Sequence, residues 1–98
     1  MSFAPVLTAA QLVEDGDVIT LPEHDARTHI VFTGSVVGEV IITAQVAGGA
    51  RYNDVTDGTI DLSTRDYVYI PNIPVKAITV AYDGLDPLYV AVYQFPNV

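Results

Sequence analysis

Along the middle of the chain, apolar and polar positions alternate with a period of two. In EVIITAQVA (39–47), Val40, Ile42, Ala44 and Val46 fall on one side, and Ile41, Thr43 and Gln45 on the other. That is the spacing of a pleated strand, and the β-branched residues that dominate it suit such a surface better than a helix. Residues 17–21, 29–33, 49–55, 59–62, 67–70, 77–82 and 89–95 share this character. Turn signals separate the segments at roughly 8–12-residue intervals: EDG, TGSVVG, AGGA, TDG, PNIP and YDGLDP. Asp-Gly pairs supply a positive φ at little cost, and the prolines stop ladder pairing.

The one helical candidate is TAAQLVEDG (8–16), where Thr8 could cap a single turn ending before Gly16. The expected organisation is an N-terminal arm over 1–15, with at most one helical turn, followed by a domain over 16–98. The expected fold class is all-β: a single antiparallel β-sandwich of about eight short strands, with a jelly roll among the arrangements this pattern allows.

Composition narrows the function. The 98 residues are 50% hydrophobic but only 16% charged, against about 25% charged in an average domain. Apolar surface is ample to offset ordering entropy, while no apolar run approaches the ~20 residues of a spanning helix, so no membrane partner is expected. Twelve acidic residues against four basic ones give a net charge of −8. Arg27, Arg51, Arg65 and Lys76 are scattered singly, so nothing overrides the repulsion of phosphate backbones, and no nucleic-acid partner is expected. The absence of cysteine removes disulfides and thiolate chemistry. MSFAPVLTAA also lacks the basic n-region and apolar core of a signal peptide, which fits synthesis in a reducing cytoplasm.

Candidate chemistry is thin. NDVTDGTIDLST (53–64) places Asn53, Asp57, Gly58 and Asp61 at spacings like those of an EF-hand loop. However, Val55 stands at the third ligand position, and Thr64 replaces the bidentate Glu at the twelfth. Its flanks read as strands, which makes it a polar bend pivoting on Asp57-Gly58. PEHDARTH gathers Glu23, His24, Asp25 and His29 without a helix-borne metal spacing. Ser35 in GSVVG lacks a nucleophile elbow. Glu14/Asp15/Asp17 and Asp83/Asp86 flank turn glycines, where solvated acids are ordinary. No catalytic residue, metal or cofactor is expected.

The informative feature is apolar character on both faces of the late strands. In LYVAVYQF, Leu88, Val90 and Val92 oppose Tyr89, Ala91, Tyr93 and Phe95. In DYVYI, Val68 and Ile70 alternate with Tyr67 and Tyr69, and AITVAY sets Ile78, Val80 and Tyr82 against Ala77, Thr79 and Ala81. A half-exposed antiparallel strand ordinarily shows polar residues on one face, and tyrosine is enriched at protein interfaces. Either loops and the arm cover this second face, or the face meets another copy or another protein. The low charge favours the latter. Pro71 and Pro74 in IPNIPVK stiffen a connection or present Asn72 and Ile73 as a contact tip.

The stretch DGTIDLSTRDYVYIPNIPVKAITVAYDG, with the closing YVAVYQ, resembles small all-β accessory virion proteins of tailed bacteriophages, including capsid decoration proteins and tail or fibre attachment modules. The resemblance lies in a GTIDLS strand, an IPVKAITV strand and a tyrosine-rich last strand. It implies a non-enzymatic virion structural protein, commonly trimeric, assembled in the host cytoplasm and attached to the major capsid protein on the outside of the shell. A carbohydrate- or receptor-binding module of a tail is the alternative. Under the first expectation Tyr67, Tyr69, Tyr89, Tyr93, Phe95, Asn72 and Ile73 belong to an oligomer or capsid interface. Phe3 and Pro5 join them if the arm lies extended along the shell.

Overall fold

A computed structural model describes residues 4–23, 26–54, 59–70 and 73–96. The described residues form nine strands: β1 (Val6–Val13), β2 (Asp17–Thr20), β3 (Ala26–Thr33), β4 (Glu39–Val46), β5 (Tyr52–Asp54), β6 (Ile60–Asp61), β7 (Tyr67–Ile70), β8 (Val75–Tyr82) and β9 (Leu88–Pro96). They make two antiparallel sheets, one ordered β1-β9-β3-β7 and the other β2-β8-β4-β5, with β6 also pairing β4. The chain is a β-sandwich. Strands β1 to β4 change sheet at each step and β7 to β9 do so again, which is the wrapping of a jelly roll.

Alternation decides which side of each strand is inside. Strand β9 buries Leu88, Val90, Val92 and Gln94, while β3 buries Ala26, Thr28, Ile30 and Phe32. Strands β4 and β8 answer from the other sheet with Val40, Ile42, Ala44, Ile78 and Val80. These aliphatic side chains form one continuous core, and Tyr82 packs against its margin. Replacing Phe32, its largest fully buried member, with Ala would cost ~3–5 kcal/mol.

The largest polar side chain in this core has its hydrogen bonds made. The side-chain amide of Gln94 donates to the Glu23 carbonyl (2.5 Å), and its oxygen accepts from the Glu23 N–H (3.1 Å). Buried Gln94 thereby ties the chain leaving β2 to the first sheet, with both backbone partners satisfied.

The segment expected as an N-terminal arm is instead part of the sandwich. Strand β1 pairs with β9, from Val6 opposite Gln94 to Val13 opposite Leu88, with a register shift between Thr8 and Gln11. Thr8, Ala9 and Ala10 read locally as the start of a helix. The ladder offered by β9 and the burial of Val13 outweigh that weak local preference. The boundary at residue 15 therefore separates two strands of one domain.

Candidate interaction face

Residues directly opposed in an antiparallel pair share a face of the sheet, so the registers define the outward surface of the first sheet. Leu12, Tyr89 and Thr33 form one row across it, and Ala91, Val31 and Tyr67 the next. Leu7, Tyr93, His29 and Tyr69 form a third, and Phe95 and Arg27 a fourth. The tyrosines of β7 and β9, which the sequence leaves as two separate pairs, lie on one surface because β3 stands between them.

Exposure is substantial. Tyr67 is 55% exposed, and Tyr69, Tyr89 and Tyr93 are each about two-fifths exposed, with Leu7 and Leu12 open beside them. The rings are arranged against one another. His29 stacks on Tyr69 with centroids 4.3 Å apart and meets Phe95 edge-on at 5.5 Å. Arg27 lies over the Phe95 ring and Arg65 over Tyr67, each 5.8 Å from the centroid, within cation–π range. An open depression is lined by Arg27, His29, Val31, Tyr93 and Phe95.

Charge separates this face from the rest of the molecule. The strands of the first sheet contain no Asp or Glu, whereas Asp17, Glu39, Asp54 and Asp61 stand in strands of the second. The loops joining β1 to β2, β3 to β4, β6 to β7 and β8 to β9 gather at one end of the sandwich. Eight acids stand in or beside them: Glu14, Asp15, Asp17, Glu39, Asp61, Asp66, Asp83 and Asp86.

That end is built firmly. The Tyr82 hydroxyl donates to the Asp86 carbonyl (2.7 Å) and lies 2.9 Å from Ser35 Oγ, which donates to the Val37 carbonyl at 2.7 Å. A Cβ on Gly84 would collide with that hydroxyl, and one on Gly34 (φ +93°) would meet the Pro87 carbonyl at 2.7 Å. Asp83 accepts from the Glu39 N–H (2.8 Å), and Asp15 accepts from the Tyr82 N–H (2.9 Å). From this frame Val36, Val37 and Leu85 project far into solvent, Leu85 with no cover at all.

Of the remaining predicted contact residues, Pro5 is exposed just ahead of β1, and Ile73 is partly exposed in the connection to β8. Phe3 and Asn72 lie outside the described residues, as do His24, Asp25, Asp57 and Gly58. The polar bend after β6 has its own partner. Asp61 accepts from the Ser63 N–H (2.9 Å) and hydroxyl (2.7 Å). These bonds, the hydroxyl's first, hold its carboxyl below the usual range. Among the described residues no group of three or more His, Asp or Glu converges as a metal would need, and no helix is long and apolar enough to cross a membrane.

Arg27, His29, Val31, Leu7 and Leu12 are members of the face that the sequence reading did not mark. The signal existed for three of them, because Arg27, His29 and Val31 alternate with buried Thr28, Ile30 and Phe32. Compared with known proteins, the chain matches no family model and no curated protein.

Proposed function

We propose that this chain is a non-enzymatic structural protein that self-associates and decorates the outside of a bacteriophage capsid, assembled in the host cytoplasm with the major capsid protein as its partner. The observation that carries the assembly role is the outward face of the first sheet. Four half-exposed tyrosines, two leucines, a valine and a phenylalanine share one surface without a carboxylate. Interface cores are depleted in charge and rich in Tyr and Arg, and this face has that composition. The capsid placement is supported by the sequence resemblance and by the jelly-roll wrapping, which capsid domains use among others.

Light scattering coupled to size exclusion tests the first half. The protein should elute as an oligomer at micromolar concentration, and a monomer there would remove the self-association. Incubation with undecorated shells followed by sedimentation tests the second half. Failure to co-sediment would reject the capsid role.

A second reading is favoured by the depression between Arg27, His29, Tyr93 and Phe95. Exposed rings beside polar donors can stack on a sugar, as a receptor-binding tail module would require. Saturable binding on a glycan array, lost in Tyr93→Ala, would move the assignment to that class.

A further inference from the structure

We infer that the aromatic face of the first sheet docks onto the acidic end of a second copy of this chain, so that copies join head to tail. This rests on the self-association proposed above and names the two surfaces that carry it.

The face is acid-free and bears Arg27 and His29 among apolar rings, in a chain of net charge −8. Any contact of such a chain with itself has to avoid placing carboxylates against carboxylates. The end formed by the β1–β2, β3–β4 and β8–β9 loops has the opposite character, combining Glu14, Asp15, Asp83 and Asp86 with the projecting aliphatic tips Val36 and Leu85. Each surface thus offers what the other lacks: cation and ring on one side, carboxylate and aliphatic tip on the other. The four hydrogen-bonded anchors of that end, from Tyr82, Ser35, Asp83 and Asp15, hold its loops in place before contact, which lowers the ordering cost of binding.

A symmetric face-to-face dimer answers the geometry less well. A two-fold pairing centred on the aromatic faces sets both Arg27 guanidiniums against strands that contain no carboxylate, or leaves them at the rim without a partner, and an unpaired buried charge is costly. Size fits a modest contact. The positions of these four rows, each spanning ~4.8 Å by ~6.8 Å, cover on the order of 400 Å² in flat projection. That is about half of the ~800 Å² per partner of a standard interface, before side-chain relief is counted. The two surfaces lie on different sides of one molecule, so the contact is heterologous. It closes into a ring of three or more copies, or propagates.

Two variants separate the surfaces, both folded by circular dichroism: Arg27→Glu/Tyr93→Ser on the face and Leu85→Lys/Asp86→Lys on the end. The wild type should sediment as three or more copies, and each variant alone as a monomer. A 1:1 mixture should give a species of two copies, because the intact end of the face variant still meets the intact face of the end variant. If the end variant keeps the wild-type mass while the face variant becomes monomeric, the contact is face to face; the inference falls and the self-association stands. If neither variant changes the mass, a different surface is used and the inference falls in the same way. A wild type that stays monomeric where a ~1 µM contact would be saturated overturns both.

Discussion

The outward face of the second sheet carries Thr20, Thr43, Thr79 and Gln45, spaced by Val18, Ile41, Ala77 and Ala81, with one tyrosine, Tyr52, beside Asp54 on the edge strand β5 and the Thr43 and Thr79 hydroxyls hydrogen-bonded to each other across the strands. The outward face of the first sheet carries tyrosine, leucine, phenylalanine and one cation at the equivalent positions. Both sheets turn similar β-branched aliphatics toward the shared core, so folding makes the same demand on each, and the contrast lies only on the side facing water. Small hydroxyl-bearing side chains satisfy water and a neighbouring strand at once. Large half-exposed rings gain from a partner. The difference points to one sheet as the working surface and to the other as the wall that supports it.

The largest expected effect comes from charging one face and then the other. Tyr89→Asp/Tyr93→Asp should weaken self-association at least 100-fold, about 3 kcal/mol. Thr20→Asp/Ala81→Asp on the opposite sheet should leave it within twofold, as read by sedimentation equilibrium. Equal effects from both pairs would erase the distinction between the faces.

Next in size is the polar brace inside the first sheet, for which the core of the second has no counterpart among the described residues. Gln94→Leu leaves the Glu23 N–H and carbonyl without their partner and should cost ~1–3 kcal/mol in urea unfolding. Ile42→Val in the second sheet should cost only ~0.5–1.5 kcal/mol.

A matched pair sharpens the comparison further. Leu12 and Val18 are each 56% exposed, one on each outward face. In dilute solution Leu12→Ser and Val18→Ser should both stay within ~0.5 kcal/mol of the parent. At associating concentrations only Leu12→Ser should lower the oligomer fraction.

The smallest effect is acidic. Bonds from Ser63 hold the Asp61 carboxyl below its ordinary range, so its folded-state pKa lies under its unfolded one. Its contribution is therefore present above the unfolded pKa and fades as pH falls through the folded value. Asp61→Asn should flatten the loss of stability below about pH 4. A steeper acid transition in the variant would contradict the assignment.

The sheet core was legible because its signal is local. Residues 67–70 alternate as Tyr67, Val68, Tyr69 and Ile70, and they form β7 over that span. Strand β1 was not legible, because Ala9, Ala10 and Gln11 break the strand signal at its middle and become a strand only where β9 supplies a ladder. The aromatic face was legible in its members but not in its unity. Nothing in DYVYI or LYVAVYQF says that β3 will lie between them; that is a property of the wrapping. Arg27 and His29 carry no interface signal of their own in the sequence, because their neighbours there, Glu23 to Asp25, are polar and acidic, whereas their neighbours in space are rings.

The pairing of β1 with β9 has a consequence during synthesis. Among the described strands, the earliest to leave the ribosome finds its only ladder partner in the latest. Leu7 and Leu12 cannot take their places beside Tyr93 and Tyr89 until β9 has emerged, so the outward face of the first sheet is completed later than that of the second. Under the proposed self-association, chains that still lack β9 present no finished docking surface to one another.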